Sequence, residues 1–465
     1  MEKHADVTMG NSERSNTPVI HFGDIVAIFC IGVLALCVYM ATMAPGLTWS
    51  HRGSDGAEFV VAAVNKQVPH PPGFPLYLMI SRLLAMGSYG NVPLRLNALS
   101  ACMAIGTLCL TGLGLVLRGI SRWSMIAASL CLGFAPLYWS QAVITEVYTT
   151  AAFFLAATSL FMIISMRTSA GIIPLGILWG LSIAVHPLVA VFTPYFWYGQ
   201  KKIWNGIMAG VLTVALCYAS LPLLGTGLQK WADLHSFPGW LSYISAHMYW
   251  NYPMGISLED IPNRSRSLMT ILSQQFTPVG AVIVTIGITE MWVKSKGAVV
   301  PWLIGLGTLL IYAITYNSGD SFVYLVLGMP ILILALAEGM DWIRKKGCPG
   351  FVLFIIPVIL VGFNWHEISL KDDSAPYEWL MTTLDTLPPD VIILSSEDKY
   401  TFTLWYADEV VALRNDISIV DTRLWQYPFY REYIAEQLGW LPESIQDIEE
   451  TRETCHLKGG EVVCK

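Results

Sequence analysis

The chain has 465 residues, of which 54% are hydrophobic and only 13% are charged, with a mean hydropathy of +0.53. Soluble domains carry about a quarter charged residues, so this composition predicts a polytopic membrane protein. The net charge of −7 comes largely from acidic residues after position 370, and no basic stripe typical of nucleic-acid binding is present.

Residues 1–18 are polar and lack the apolar core and small-residue cleavage site of a secretory signal, so we expect the first apolar run to be retained. Most cysteines lie in apolar runs, where they act as small packing residues. Cys455 and Cys464 lie in a polar tail and can form a disulfide if that tail lies outside the cytosol, which the sequence leaves open.

Apolar runs long enough to cross a membrane follow the N-terminal tail. Two further apolar segments, at 72–87 and 187–199, are shorter than these runs. The longer runs are 22–43, 94–117, 123–143, 148–166, 171–186, 203–224, 267–293, 298–316, 322–342 and 350–366. In one arrangement the segment 72–87 lies in the outer interface and the segment 187–199 crosses the membrane, and the Lys/Arg clusters then all fall on the cytosolic side. If the segment 72–87 crosses instead, Arg118 and Arg122 move to the outer side. The first arrangement predicts about eleven spans, with the N-terminus inside and the C-terminus outside.

Three regions follow from this pattern: a cytosolic tail at 1–21, a transmembrane domain at 22–369 with a first outer loop at 44–90, and an extracytoplasmic domain at 370–465. In the last region we predict strands at 391–394 and 417–420, a helix or strand at 401–411, and a helix at 432–438 ended by Gly439. This small α/β domain is expected to support the site or bind the acceptor.

The first outer loop concentrates charge, glycine and proline beside a membrane span. Asp55 and Glu58 lie three residues apart, and a helix over 57–64 would place both on one side of its positive end. Asp55 can also be a helix cap or a solvated loop charge, and a cap is compatible with a base. An inverting sugar transfer needs one carboxylate as base, unlike the paired carboxylates of hydrolases, and the spacing does not distinguish the two.

Other polar residues near the membrane surface are candidate ligands. Glu146 lies between apolar runs, where a carboxylate is rare unless it pairs or contacts substrate, although it can also be an outer-loop residue. His70 can donate to a phosphate or pair with Asp55, and His186 before Pro187 can bind substrate or simply mark a helix break. Cations near the loop that can meet a phosphate are Arg52, Lys66 and Arg82.

The loop at 225–266 is rich in aromatic residues, which suit either a membrane interface or stacking on sugars. The chain contains no HExxH, Walker loop, Cys/His zinc spacing or GxSxG with triad partners. No cofactor and no metal ligands are therefore assigned, although two carboxylates are compatible with a hard divalent cation.

Four motifs resemble those of the multi-span protein O-mannosyltransferase family of the GT-C superfamily, which has many bacterial members: Gly53-Ser-Asp-Gly-Ala-Glu58, His70-Pro-Pro-Gly-Phe-Pro75, Trp139 to Tyr148, and His186-Pro187. The segments Leu387 to Leu394 and Phe402 to Tyr406 are similar to that family's soluble segment. Where relatives often carry a basic pair before the tyrosine of the 225–266 loop, this chain reads His247-Met-Tyr249-Trp250.

The resemblance implies a GT-C bundle whose first outer loop carries the catalytic Asp55, with Glu58 beside it. It implies that the substrate-binding residues include His70, Glu146, Tyr148, His186, Trp231 and Asp233, and we add Arg52 as a cation beside the loop. The donor would be a hexose, with mannose expected, on polyprenyl or dolichyl phosphate, and the acceptor a protein or glycan.

We therefore expect an integral membrane glycosyltransferase that inverts the sugar with Asp55 as general base. It would work in a bacterial inner membrane or the endoplasmic reticulum, with its site on the periplasmic or lumenal face. Two alternatives are a transporter or lipid flippase, for which internal repeats and midplane charges would be expected, and an inactive scaffold for envelope proteins.

Overall fold

The computed structural model describes residues 20–168 and 171–464, so most of the predicted cytosolic tail lies outside the described residues. The chain is mainly helical up to residue 386. Its helices there are α1 (Phe22–Thr42), α2 (Gly56–Val64), α3 (Pro75–Ala85), α4 (Val92–Leu117), α5 (Arg122–Phe134), α6 (Pro136–Ala142), α7 (Tyr148–Arg167), α8 (Ile172–Val185), α9 (Thr193–Trp197), α10 (Ile203–Ala219), α11 (Leu221–Leu224), α12 (Phe237–Ile244), α13 (Ile261–Gln275), α14 (Thr277–Lys294), α15 (Lys296–Thr315), α16 (Met329–Lys345), α17 (Ile355–Ile368) and α18 (Ala375–Thr386).

Within the described ranges, eight helical segments are long and apolar enough to cross a membrane. They are Phe22–Thr42, Val92–Leu117, Tyr148–Arg167, Ile203–Leu224, Ile261–Lys294, Lys296–Thr315, Ser321–Lys345 and Gly350–Ile368. The segments Ile172–Val185 and Pro187–Trp197 are shorter apolar helices. The predicted polytopic, mainly α fold is confirmed.

The segment predicted at the outer interface forms helix α3, which has 11 residues. At 1.5 Å per residue such a helix is about 16 Å long, about half the thickness of the hydrocarbon core. Leu83 and Met86, at its end, are 66% and 75% exposed. Its length therefore agrees with the prediction that 72–87 does not cross the membrane.

Prolines divide two of the predicted apolar runs. The run at 123–143 is interrupted at Ala135, because Pro136 starts the new helix α6 and disfavours helical geometry in the residue before it. The run predicted at 267–293 is two helices, α13 and α14. Helix α13 already begins at Ile261, and Pro278 lies in the first turn of α14, where a proline is well tolerated. The loop predicted at 225–266 therefore also contains helix α12 and the first turn of α13.

Small residues let the membrane helices pack closely. A methyl group on Gly176 or Gly180 of α8 would overlap the backbone of Gly206 or Gly210 of α10, so these two helices touch through their glycines. Close backbone approach through small residues is the usual basis of helix association in membranes, where burial of apolar side chains gives little net gain.

The C-terminal region is an α/β unit with a four-stranded sheet in the order β2-β1-β3-β4. Its strands are β1 (Ile392–Ser395), β2 (Ser418–Asp421), β3 (Thr454–Lys458) and β4 (Glu461–Cys464), and its helices are α19 (Asp398–Glu409), α20 (Pro428–Leu438) and α21 (Ile445–Thr451). Strand β1 pairs in parallel with β2 and β3, and β3 pairs antiparallel with β4. All of β1 is buried, as its apolar run indicated.

Both predicted strands lie within one residue of β1 and β2, and Gly439 ends α20 in a left-handed conformation at φ 75°. The segment 401–411, predicted as helix or strand, lies mostly in helix α19. The hairpin of β3 and β4 was not predicted, and a disulfide joins its directly paired Cys455 and Cys464. The structure thus contains the disulfide that the sequence left open.

Helix α19 of this unit packs against the first loop of the membrane domain. The Trp49 indole N–H donates to Lys399 O at 3.1 Å and to Thr403 Oγ1 at 3.0 Å. The Trp49 ring meets those of Trp379 and Tyr400 edge-on at 5.5 and 5.2 Å. The C-terminal unit is therefore joined directly to the loop that carries the predicted catalytic residues.

Candidate active site

A cavity of about 630 Å³ opens where the first loop meets the ends of α7, α8, α15 and α19. Five residues predicted for the site line it: Asp55, His70, Tyr148, His186 and Trp231. They come from distant parts of the sequence, and the structure brings them together. Glu58 and Glu146 are buried behind this wall, Arg52 lies near the rim, and Asp233 lies elsewhere.

Asp55 precedes α2 in the N-cap position, but its side chain makes no hydrogen bond to the first turn of the helix. The carboxylate therefore forms no capping hydrogen bond, and it lines the cavity. Burial raises the pKa of Asp55 to about 7, with His70 opposing and Glu58 adding to the shift. A carboxylate with a pKa near neutrality is suited to accept a proton as a general base.

Glu58 and His70 form a buried ion pair beside Asp55. Glu58 is 2% exposed, and it accepts hydrogen bonds from the His70 backbone N–H at 2.8 Å and from His70 Nδ1 at 2.6 Å. Burial lowers the pKa of His70, but the charge and hydrogen bond of Glu58 outweigh it and raise the pKa to about 9. His70 is therefore an imidazolium at neutral pH, and it presents a positive charge to the cavity.

The backbone around His70 is fixed by the Pro-rich segment and by helix α12. Gly73 has φ +87°, and a Cβ there would lie 2.5 Å from Tyr243 Oη. Tyr243 Oη donates to Pro69 O at 2.5 Å. Pro75 opens α3 directly after Phe74, which has a left-handed φ of 42°. These constraints explain the glycine at position 73 and the proline at the start of α3.

Glu146 lies between α6 and α7 and is 2% exposed. Burial, with a further contribution from the charge of Asp55, raises the pKa of Glu146 well above its ordinary value. Its Oε2 accepts a hydrogen bond from the Val147 N–H at 3.3 Å. Glu146 therefore sits behind Asp55 and does not itself line the cavity.

The ring of His186 lies 5.7 Å from each of the rings of Phe74, Tyr148 and Tyr324. Its Nδ1 also accepts the Leu188 N–H at 3.3 Å, so it caps the short helix that follows. His186 therefore lies at a helix break and also lines the cavity. Together these rings give the cavity an aromatic side.

Of the described residues that line the cavity, none is a lysine or an arginine. Arg52, the nearest predicted cation, pairs with Asp320 at 3.0 Å, and Asp320 lines the cavity rim. Arg82 is turned away, because its guanidinium donates to the backbone carbonyls of Ala62, Asn65, Gln67 and Leu224. Lys66 is exposed and does not line the cavity.

Trp231 and Asp233, which the resemblance implied as substrate-binding residues, lie in different surroundings. The Trp231 ring lies 6.1 Å from the His70 ring and lines the cavity. Asp233 instead accepts the backbone N–H of His235 at 3.0 Å and of Ser236 at 3.3 Å, which closes a local turn. The structure therefore does not bring Asp233 to the cavity, because its carboxylate stabilises the turn before α12.

Other cavity residues escaped prediction. Tyr312 and Tyr316 are spaced by four on α15 and beyond it, so helical periodicity would have placed them on one face. Asp398 and Phe402 come from α19 of the C-terminal unit. Phe402 begins a segment that resembles the family's soluble segment, but no sequence signal placed either residue at the cavity. Among the described residues, no group of three or more His, Cys, Asp or Glu is arranged to hold a metal ion.

Two family models match this chain. Residues 55–200 match the N-terminal domain of the protein O-mannosyl-transferase TMEM260, and residues 377–438 match TMEM260-associated domain 2. The first match begins at Asp55 and covers most of the cavity-forming motifs, and the second covers α19. The resemblance to protein O-mannosyltransferases is confirmed.

Two curated relatives carry the same description. The mouse protein O-mannosyl-transferase TMEM260 is 22% identical over 446 residues, which cover 83% of this chain and 62% of the relative. Its Dictyostelium discoideum counterpart is 19% identical over 491 residues, covering 88% and 58%. The chain therefore spans about three fifths of the length of these relatives.

Solved structures share the fold at low sequence identity. ArnT from Cupriavidus metallidurans bound to undecaprenyl phosphate aligns over 94% of both chains, with a TM-score of 0.58 and 10% identity. The Archaeoglobus fulgidus oligosaccharyltransferase aligns over 90% of this chain and 69% of its own, with a TM-score of 0.52 and 11% identity. The fold is that of the GT-C glycosyltransferases.

Proposed function

We propose that this chain, with its GT-C fold and its matches to the protein O-mannosyl-transferase family models, is an inverting membrane glycosyltransferase. It transfers a hexose, mannose in the first instance, from a polyprenyl- or dolichyl-phosphate donor to a protein or glycan hydroxyl. The observation that carries this proposal is the unbonded Asp55 carboxylate facing a large cavity next to the charged Glu58–His70 pair.

In the proposed reaction the acceptor oxygen attacks the anomeric carbon of the sugar from the face opposite the phosphate. A new carbon–oxygen bond forms as the bond from the anomeric carbon to the phosphate oxygen breaks. The acceptor proton passes to Asp55, and the leaving oxygen keeps the bonding electrons as the lipid phosphate. One carboxylate is enough for this displacement, so Glu58 is free to act through His70.

The lipid phosphate leaves with added negative charge, which the site can meet with two cations. The His70 imidazolium faces the cavity and is kept charged by Glu58. Arg52 lies at the rim and can exchange Asp320 for phosphate, since guanidinium binds phosphate oxygens with paired hydrogen bonds. The ArnT structure with undecaprenyl phosphate supports a lipid-phosphate donor in this fold.

The aromatic side of the cavity suits a sugar. The rings of Tyr148, Trp231 and Tyr324 all line it, and aromatic faces pack against the apolar C–H faces of hexoses. No residue of this wall is needed for proton transfer. We assign it to holding the hexose between donor phosphate and acceptor.

We place this site on the extracytoplasmic side. The Lys/Arg distribution puts the cavity loops on the outer face. The disulfide between Cys455 and Cys464 lies in the unit that closes the cavity and suits an oxidising compartment. Both arguments apply equally to a bacterial inner membrane and to the endoplasmic reticulum.

The test is transfer of labelled mannose from polyprenyl-phosphate mannose to a hydroxyl-bearing polypeptide by the purified protein. Asp55→Asn should lower kcat by about 100- to 10,000-fold, the usual contribution of a general base. Asp372→Asn, at an exposed carboxylate outside the cavity, is the matched control. Full transfer by Asp55→Asn would remove Asp55 as the base, and uptake of donor into vesicles without transfer would favour the flippase alternative.

A further inference from the structure

A buried lysine links the C-terminal unit to the aromatic loop beside the cavity. Lys230 is 3% exposed, and its Nζ lies 2.5 Å from Glu409 Oε1 at the end of α19. The rings of Trp405 and Tyr433 face the same ammonium at 4.9 and 5.0 Å. Burial lowers the pKa of Lys230, but Tyr433 and Glu409 raise it above its usual value, so the lysine is charged.

The second oxygen of the same carboxylate reaches the catalytic loop. Glu409 Oε2 accepts a hydrogen bond from Asn65 Nδ2 at 3.1 Å, and Glu409 O accepts from the same amide at 3.4 Å. Asn65 is the C-cap of α2, the helix whose first turn holds Glu58. One side chain of the C-terminal unit therefore contacts both segments that carry site residues.

These two segments are also joined to each other. Val68 N–H donates to Gln229 Oε1 at 2.9 Å, and Gln229 Nε2 donates to Lys66 O at 3.1 Å. Gln67 Nε2 donates to Leu228 O at 3.2 Å. These bonds run from the residues just before His70 to the residues just before Trp231. Because the segments are joined in this way, displacement of either one would move His70 and Trp231 together.

We infer that Glu409 is a positioning residue of the active site: by holding Lys230 and Asn65 it sets the placement of Trp231 and the Glu58–His70 pair. This inference rests on the proposed function. Glu409 itself does not line the cavity and touches no reacting atom. The C-terminal unit is thereby part of the device that orders the site, in addition to supplying wall residues.

Two variants separate positioning from stability. Glu409→Gln leaves a buried, unpaired ammonium and should lower both thermal stability and kcat, whereas the double variant Lys230→Met/Glu409→Met removes both charges and should recover stability. Positioning predicts that kcat of the double variant stays about tenfold low while the donor KM changes less than about twofold, since small misplacements cost turnover before binding. If kcat recovers together with stability, the role is only structural and the inference is overturned.

The matched control is Asp416→Asn. Its ion pair with Arg414, at 2.7 Å, belongs to the same unit, and the other bonds of Arg414 end on residues 384–388. It should leave kcat unchanged, and an equal fall of kcat in Asp416→Asn and Glu409→Gln would overturn the inference. Hydrogen exchange gives a readout independent of turnover.

Glu409→Gln should speed amide exchange in residues 62–70 and 226–232, and Asp416→Asn should not. Unchanged exchange in both segments would overturn the inference even if the wild type transfers no sugar. Absence of transfer by the wild type, with the exchange difference present, would instead count against the proposed function alone. The two failures are therefore distinguishable.

Discussion

Replacing Glu58 by Gln changes one charge and leaves the side chain nearly the same size. Glu58 holds His70 with hydrogen bonds of 2.8 and 2.6 Å, and these keep the pKa of His70 near 9 despite burial. Without the negative charge of Glu58, the pKa of His70 should fall toward its ordinary value of 6.5, because burial lowers it and Asp55 still raises it. A pKa change from 9 to 6.5 corresponds to about 3 kcal/mol, at about 1.4 kcal/mol per unit.

The direction of the pH effect on activity follows from the protonation state in which His70 is active. His70 must be protonated to meet the leaving phosphate, so activity is lost as pH rises through its pKa. At pH 8 the protonated fraction falls about 30-fold in Glu58→Gln, whereas at pH 6.5 it falls only about twofold. The pKa of Asp55 is subject to two opposite effects in this variant: loss of the Glu58 charge lowers it, and loss of the His70 charge raises it. The acidic limb of the pH profile, which reports Asp55, should therefore move little.

The assay is kcat/KM for mannose transfer from pH 5.5 to 9.5. For the wild type, kcat/KM should show a bell-shaped dependence on pH, with an acidic limb near pH 7 from Asp55 and an alkaline limb near pH 9 from His70. In Glu58→Gln the pKa of His70 falls to or below that of Asp55, so the alkaline limb should move down to about 7 and the profile should become narrow and low. His70→Gln should have no alkaline limb, and the double variant should be no worse than His70→Gln alone. An equal loss at every pH, or a limb that stays near 9, would refute this account of Glu58.

Three further substitutions test the loop and the rim. Gly73→Ala should lower the free energy of unfolding by about 2 kcal/mol or more, because it forces a side chain into a left-handed φ and against Tyr243. Gly119→Ala is its control in thermal unfolding, since Gly119 has φ +80° but open space around it, and equal losses would contradict the contact with Tyr243. Arg52→Gln should raise the donor KM by about tenfold through loss of a charged phosphate contact. Asp320→Asn frees Arg52 and should lower the donor KM, so a rise would argue against exchange of Asp320 for phosphate.

Composition and local pattern were enough for the class of fold. High apolar content and runs of membrane length dictate helices, since the backbone must satisfy its own hydrogen bonds in lipid. The positions of α1, α4 and α7, and the strands β1 and β2, follow the predicted runs closely. Breaks at Ala135 and Phe276 depended on single prolines within otherwise apolar sequence, and those were missed.

The sequence also pointed to the chemistry of the first loop. Asp55, Glu58 and His70 are close in the chain, and their residue types and spacing limited what they could do. Whether Asp55 was a cap or a free carboxylate was left open by the spacing. The structure decides this point, because its side chain makes no bond to the helix it precedes.

Only the tertiary structure decided which distant residues join that loop. It brought Tyr148, His186 and Trp231 to the cavity and kept Asp233 in a local turn. It also carried Asp398 of the C-terminal unit to the cavity and Glu409 to Asn65 of the loop. Periodicity describes one helix or strand at a time, whereas these contacts depend on how separate elements dock. Local pattern therefore identified the candidate base, and long-range packing defined its surroundings.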